Sequence, residues 1–533
     1  MQTIKNIKAN QLLVVQHRDA EMGVPRITEK GTTLFNDTDL LGVDFKHAES
    51  QNFDFGYHQP LPQKYSQLGP CIATGDVNGD GLEDFFAGGA ANQPGKIFIQ
   101  KTDGSFTASN VVDGNKPEED LGAVLFDADG DKDLDLLITG GSFEFQVPKY
   151  NQPRLYKNDG AGNFKLDAGA LPGISDITKA VAVADYDGDG DLDIFIGGRL
   201  SPQKYPESPR SYLLQNNGGK FTDITKAVCE ELEFPGMIDA AIFTDFDNDK
   251  KPDLVIAGEW TAIRFFKNTN NKLIEVTNAT GLEGMNGWWR SLQQVDIDKD
   301  GDMDYIAGNM GNNNRYHIMA NQPVFLYAKD LDKNGYDELI PAYYIKNKDE
   351  KYELFPGLDR NQLSEQVPAV KKKYLLHADY AKVKMEQLQN DFGSEGWTIL
   401  KCETSASVWI ENLGGGKFKS HLLPVQAQFA PVNSIIASDV DGDGSSDLII
   451  AGNEYQSAAN TGRYDASYGL VLKGNGKGGF IPLSTEKSGL IIDGDIKDLK
   501  MIDVKKKGKV LLVAPNDSEL KIFLLNSTAG RGI

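Results

Sequence analysis

Aspartate recurs at every second position in DYDGDGDLD, residues 185–193, a density of like charge that an isolated chain does not tolerate. Asp185, Asp187 and Asp189 stand at positions 1, 3 and 5 of a tight loop, Asp191 at position 7 can offer its backbone carbonyl, and Asp193 closes at position 9. Such a set is an oxygen cage for a hard cation. Calcium takes about six to eight oxygens at flexible geometry, and this alternating spacing is the one used by the first part of an EF-hand loop. The EF-hand itself is excluded, because position 12 is Ile196 and the flanks AVAVA and LDIFIGG read as strands.

The same spacing returns six more times, and self-similarity of this kind decides the architecture. DVNGDGLED holds Asp76, Asn78, Asp80, Leu82 and Asp84, and DADGDKDLD holds Asp127, Asp129, Asp131, Asp133 and Asp135. DFDNDKKPD offers Asp245, Asp247, Asp249, Lys251 and Asp253, and DIDKDGDMD offers Asp296, Asp298, Asp300, Asp302 and Asp304. DLDKNGYDE supplies Asp330, Asp332, Asn334, Tyr336 and Glu338, and DVDGDGSSD supplies Asp439, Asp441, Asp443, Ser445 and Asp447. At position 7 only the carbonyl is needed, so Leu82, Lys251, Tyr336 and Ser445 serve as well as an acid. Up to seven structural calcium ions are expected. A single copy could be a solvated acidic turn, but seven in register are not chance.

The strands that must hold these loops are written beside them. Most copies follow a short apolar run and precede another, such as FFAGG, LLITGG or IFIGG; further strand pairs then flank turns, as in RLYKNDGAGNFKL and SYLLQNNGGKFTDI. The first aspartates at 76, 127, 185, 245 and 296 are spaced by 51, 58, 60 and 51 residues, the length of a four-stranded unit with its loops. The expected fold is all-β, a β-propeller of four-stranded blades over 63–530. Two intervals break the rhythm: 34 residues separate Asp296 from Asp330, and 109 separate Asp330 from Asp439. The Asp330 loop is therefore assigned to an insertion, about 311–403, within the fifth blade, whose outer strands are SVWIEN and KFKSHLL. A helical stretch is expected at 359–391, with Leu363, Val367, Val370, Tyr374 and Leu375 on its apolar face. The last unit, LKMIDVKKKGKVLLVAPN, keeps Asp503 but has Lys505 and Lys507 at ligand positions, so no calcium is expected there. The units number seven, or eight if the Asp330 unit is a blade of its own. Ring closure is assigned to NFDFGYHQ, 52–59, pairing with the terminal LKIFLLN.

Composition agrees with a metal requirement. Acids number 77 against 55 bases, a formal charge of −22, and 26 of the acids occupy positions 1, 3, 5 and 9 of the seven loops. This balance argues against nucleic acid as a direct partner. Cys71, Cys229 and Cys402 have neither disulfide nor metal spacing and read as packed thiols. No apolar run is long enough to span a membrane. His17, His47, His58, His317, His377 and His421 are scattered, and neither a G-x-S-x-G nor a phosphate-binding loop occurs. Calcium sites of modest affinity imply an extracytoplasmic home, on the cell surface or in the periplasm. With no leader at Met1, the chain is expected to be a fragment whose membrane association would come only through a missing N-terminal part.

The loops and their strands resemble the FG-GAP/VCBS repeats of integrin-like β-propellers over roughly 65–525. More narrowly, QKYSQLGPCIATGDVNGDGLEDFFAGGA, VPAVKKKYLLHADYAK, SVWIENLGGGKF and GRYDASYGLVLKGNGKGGF resemble the C-terminal half of Bacteroidota VCBS-repeat proteins with a mid-chain ASPIC/UnbV domain. IKNIKANQLLVVQHRDA looks like the last strands of that domain, which makes 1–20 its remnant and 21–62 a connecting segment. The resemblance implies secretion or outer-membrane association near glycan-uptake systems, and no defined reaction.

Ligand candidates are fewer. Trp288, Trp289 and Arg290 follow GMNG just before an innermost strand, where they could stack on sugar rings and hydrogen-bond hydroxyls or a carboxylate; the simpler reading is a plug of the propeller's centre. Arg315 and Tyr316 in NMGNNNRYH, Arg463 and Tyr464 in GRYDASYG, and Trp260 carry the same ambiguity between ligand site and turn. The function expected is a binding or scaffold module for a glycan or an outer-membrane protein partner. Its rival is a polysaccharide lyase or glycosidase, which would need a Lys, Arg, Tyr or His cluster at the central funnel.

Overall fold

A computed structural model describes residues 33–38, 41–57, 60–111, 116–145, 147–319, 321–458 and 461–526. The expected remnant at 1–20 and the start of the connecting segment lie outside the described residues. Among the described residues the chain is mostly β, and eight sheets are formed.

Seven of the sheets follow one plan of four antiparallel strands, to which sheet 4 adds the two-residue strand Gly287–Trp288, and in six of them the acidic loop joins the first two strands. In sheet 1 these are Ile72–Gly75, Asp84–Ala87, Lys96–Gln100 and Phe106–Asn110. Sheets 2, 3 and 4 begin with Glu119–Phe126, Ile177–Ala184 and Met237–Thr244, and their second strands start at Asp135, Asp193 and Asp253. Sheets 5, 6 and 7 begin with Ser291–Val295, Val432–Ser438 and Ile496–Val504. These seven first strands adjoin one another in sequence order, and the seventh adjoins the first, so the sheets close a ring. Their second strands are short runs buried along their length, such as DIFIGGRL in sheet 3, as burial on both faces demands. Apolar clusters fill the spaces between sheets: Phe195, Leu213, Ile238, Ile256 and Phe266, for example, lie between sheets 3 and 4.

The ring closes with a different segment from the one expected. The final strand Lys521–Leu525 pairs with Phe35–Asp37 in the register Phe35↔Leu525 and Asp37↔Phe523, so the fourth strand of sheet 7 comes from the N-terminal side. Asp54–Tyr57, inside the segment assigned to closure, is a short helix. The buried Asp54 carboxylate there accepts Tyr65 N at 2.6 Å, Ser66 N at 2.9 Å and Ser66 Oγ at 2.6 Å, a demand for local donors that a paired strand could not meet.

The eighth sheet stands outside the ring. It runs Tyr352–Pro356, Glu338–Lys346, Val324–Lys329, Thr398–Cys402, and lies in the chain between the second and third strands of sheet 5, Asp304–Gly308 and Val408–Asn412. The helical stretch is four short helices, Arg360–Gln366, Ala369–Lys373, His377–Tyr380 and Met385–Asp391. Val367 is extended (φ −122°, ψ 90°) because the following Pro368 disfavours helix at that position. Leu363, Val367, Val370 and Tyr374 are buried, but the break turns Leu375 outward, 74% exposed.

In sheets 2, 3, 4, 6 and 7 the register slips near the start of the first strand. Such bulges re-aim side chains, and Lys179, Asp239, Asn433 and Lys497, at the slips, line a central cavity of about 210 Å³.

Candidate functional site

Each acidic loop is folded by its own carboxylates. The position-1 side chain caps backbone amides across the turn: Asp185 accepts Gly188 N at 2.8 Å and Gly190 N at 3.1 Å, and Asp439 accepts Gly442 N at 2.7 Å and Gly444 N at 2.9 Å. Positions 4 and 6 take positive φ in all seven loops; at position 6 glycine serves five times and Lys132 (φ 77°) and Lys250 (φ 67°) twice. One carboxylate oxygen from each of Asp127, Asp129 and Asp131 lies within 4.8 Å of the others. The same holds for Asp185, Asp187 and Asp193, for Asp245, Asp247 and Asp249, and for Asp296, Asp298 and Asp300. The donor sets are oxygen-only, as a hard cation requires.

Position 9 does more than the spacing foretold. Asp193 is buried, and its two oxygens accept Tyr186 N (3.2 Å), at position 2 of the same loop, and Asn216 N (2.8 Å), on the third strand. Asp84, Asp135, Asp253, Asp304 and Asp447 repeat the clamp. Burial, reinforced by the neighbouring loop carboxylates, pushes these acids up, to about 6 for Asp84, Asp135, Asp304 and Asp447 and to about 7 for Asp193 and Asp253. Glu338 in the insertion also rises to about 7 for the same reason.

The third strand adds two features that the motif did not announce. Lys157, Lys267 and Lys473 pair with the position-3 carboxylates Asp129, Asp247 and Asp441, whereas Gln215 holds Asp187 at 2.6 Å. In sheets 2 to 5 an asparagine near the end of the strand staples the sheet to the acidic loop of the sheet before it. Asn158 Nδ2 donates to Val77 O, Asn216 to Ala128 O, Asn268 to Tyr186 O and Asn412 to Phe246 O, at 2.6–3.0 Å. Gln100 does this for sheet 1, reaching Asp503 O of sheet 7 at 3.1 Å, while Gly474 holds the place in sheet 6. The repeated N of RLYKN, YLLQN, RFFKN and VWIEN was the available signal.

At the other end of the ring, where second strands turn into third strands, the insertion sheet and residues 60–63 cover a cavity of about 90 Å³. An aromatic wall runs Trp260, Trp288, Tyr316, Tyr343, with ring centroids 5.2, 5.5 and 5.8 Å apart in turn. Trp260 holds a positive φ of 62° and donates from Nε1 to Tyr205 Oη at 2.7 Å, a backbone state that non-glycine residues adopt only when the surroundings impose it. Below the wall, Glu259 accepts Tyr65 Oη (3.0 Å), Tyr205 Oη (2.9 Å) and Arg199 (2.7 Å). Burial alone would raise Asp239, but Arg199 and Lys179 hold it below the ordinary carboxylate range.

Six of the seven candidate ligand residues line this cleft: Trp288, Trp289, Arg290, Arg315, Tyr316 and Tyr464. Arg290 also reaches the central cavity, donating to Gln63 Oε1 at 2.7 Å and facing Glu454 at 3.4 Å. Two of the candidates offer no side chain there: Trp289 is packed into the core behind the cleft, and Arg463 lies away from it. Trp289 is fully buried between sheets 4 and 5 with Tyr305 and Phe418, its Nε1 donating to Met285 O, because the side chain beside Trp288 must face the opposite way. Arg463 lies over the Tyr455 ring at 4.9 Å and is exposed. Tyr65, Arg199, Tyr205, Glu259 and Tyr343 were not foreseen, for no local pattern marks them. Among the described residues no helix is long and apolar enough to cross a membrane, and Cys71, Cys229 and Cys402 are free and buried.

Ring and loops together define a β-propeller in which six of the seven ring sheets turn on an acidic loop. The chain carries FG-GAP-like repeats, matched at residues 76–138, 145–196 and 245–307, within this propeller. Cartilage acidic protein 1 of Xenopus tropicalis is 26% identical over 193 residues, covering 34% of this chain and 28% of that protein, so the match spans under a third of the relative's length. Among solved structures, the Dos1 propeller is similar at TM-score 0.40, 12% identity and coverage of 89% of this chain and 97% of that one. Sqt1 of Saccharomyces cerevisiae is similar at TM-score 0.39 and 10% identity, covering 86% and 96%. The V. cholerae biofilm matrix protein Bap1 is similar at TM-score 0.31 and 14% identity, covering 93% and 92%.

Proposed function

We propose that this chain is an extracytoplasmic, calcium-stabilised binding module that takes an acidic glycan in the cleft between the ring and the insertion sheet. The observation that carries the reading is the aromatic wall of Trp260, Trp288, Tyr316 and Tyr343 with Arg290 and Arg315 among the residues lining the same cleft. Aromatic faces stack on the apolar faces of sugar rings, and guanidinium groups pair with carboxylates in bidentate geometry. Calcium would be held by the carboxylates at positions 1, 3, 5 and 9 and the carbonyl at position 7, and would neutralise side chains that otherwise repel. The cleft is at the end of the ring away from the six loops of the ring's own sheets, so the metal's part there is to hold the sheets. An abundance of calcium outside the cytoplasm suits sites of this kind, and the outer-membrane uptake setting rests on the family resemblance alone.

Affinity electrophoresis of the calcium-loaded protein through gels containing different polysaccharides tests the reading, with products assayed in parallel. Retardation by an acidic polysaccharide is expected, weakened about tenfold by Trp288→Ala, as the loss of one stacked aromatic implies. Released products would establish the lyase or glycosidase instead. No retardation on any glycan would overturn the glycan reading in favour of a protein partner.

A further inference from the structure

Among the described residues, one group of metal-ligand side chains lies away from the acidic loops. His47 and Glu49, on the segment that crosses from the ring-closing strand towards sheet 1, meet Glu119, the first residue of sheet 2's first strand. One ligand atom from each lies within 4.8 Å of the other two. The His47 and Glu49 side chains are 1% and 0% exposed, and Glu119 is 2% exposed. This place differs in kind from the loops, which are open to solvent and contain no histidine.

Its hydrogen bonding is incomplete. Both Glu49 oxygens and His47 Nε2 are buried with no hydrogen-bond partner. Glu49 Oε1 is 3.7 Å from His47 Nδ1, which receives only the long approach of Asp517 N at 3.4 Å. Asn516 Oδ1 is the acceptor beside His47 on the other edge of the imidazole ring. Glu119 Oε1 is satisfied by Gly69 N at 2.6 Å, so that carboxylate is fixed in place. Glu144, held by Ser50 Oγ at 2.8 Å, adds another acid nearby. A buried carboxylate with neither donor nor counter-ion is among the costliest groups a fold can keep. Two donorless oxygens of Glu49 set against a second buried carboxylate and an imidazole are the pattern that a cation completes.

We propose that His47, Glu49 and Glu119 form a buried site for a divalent transition ion of the zinc or manganese class, separate from the calcium loops. Mixed imidazole and carboxylate ligands suit such ions. Ligands about 2.1 Å from one tetrahedral ion stand about 3.4 Å apart; Glu49 Oε1, 3.7 Å from His47 Nδ1, is already close to that, and the Glu119 oxygen, within 4.8 Å of both side chains, would have to move in by up to about 1.4 Å. The ion would join the N-terminal segment to sheet 2 and, through the contact of Asp517 with His47, to sheet 7. It would act as a clasp beside the ring closure. The competing account is a proton shared between the Glu49 and Glu119 carboxyls.

The test uses the full chain without a histidine tag, dialysed against zinc or manganese in the presence of excess calcium and then freed of loose metal. Elemental analysis should find one equivalent of the transition ion, lost in His47→Ala with the calcium content unchanged. Cobalt substitution should give a visible absorption band in the native protein that Glu49→Gln abolishes. If His47→Ala does not fold, Glu49→Gln, which keeps the side-chain shape, serves in its place. Fewer than about 0.2 equivalents retained by the native protein, or an undiminished equivalent in the variants, overturns the site and leaves the shared proton.

Discussion

The carboxylate at position 9 has two duties, and they separate on substitution. Asp193 accepts two buried amides besides standing within reach of Asp185 and Asp187. Asp193→Ala leaves both amides without an acceptor, at about 1–3 kcal/mol each, so a loss of about 2–6 kcal/mol is expected even without calcium. Asp503→Ala, at an exposed site in the sheet whose turn has lost its acids, should stay within about 0.5 kcal/mol. Chemical denaturation in chelator decides: equal effects would mean that the clamp contributes nothing beyond metal binding. At this scale the sequence was most legible. A nine-residue loop makes its contacts within itself, so Asp185 and its neighbours announce their geometry directly. The clamp on Asn216 N lies 23 residues away and could not be read from the motif.

Between sheets the asparagine staple is the smallest device that couples one acidic loop to the next sheet. Asn216 Nδ2 reaches Ala128 O of sheet 2 at 2.9 Å and Leu192 O of its own loop at 3.0 Å. Asn216→Ala removes both bonds from a buried place and should cost about 2–4 kcal/mol, lowering the melting temperature by about 5–10 °C. Copying the staple into sheet 6 should fail. A Cβ on Gly474 would stand 2.1 Å from Ser446 O, so Gly474→Asn should destabilise although it restores the repeat's residue. A gain in melting temperature for Gly474→Asn would refute this account of the glycine. Strands with repeated apolar runs were legible as elements. The three-residue strand Phe35–Asp37 was not, because it is too short to show a period and its place is set by the open edge of Lys521–Leu525, almost five hundred residues away. The cleft was half legible for a related reason: Trp288 and Tyr316 stand out as composition, while Tyr65, Tyr205 and Tyr343 become neighbours only when ring and insertion come together.

For the whole molecule the acidic loops make stability a joint function of pH and calcium. Six position-9 aspartates, in separate sheets, have folded-state values of about 6 to 7, above the ordinary value of 3.8, through burial and then through neighbouring carboxylates. A carboxyl whose folded value is raised binds its proton more tightly in the fold than in the unfolded chain. Its contribution is therefore present in full below about pH 4 and is lost as pH rises through 6 to 7. In excess chelator the melting temperature should fall between pH 5 and pH 8, by about 5 °C or more for six sites acting together. Calcium reverses the sign, because it binds the deprotonated carboxylates and its binding free energy adds to that of folding. With calcium in excess the melting temperature should hold level or rise over the same interval, and the difference between the two curves should be largest at pH 8. Lys157, Lys267 and Lys473 already offset charge in three of the loops, so the calcium response should come chiefly from those at Asp76, Asp185, Asp296 and Asp330. A metal-free protein that grows more stable from pH 5 to pH 8 would contradict both the raised carboxyls and the calcium role assigned to the loops.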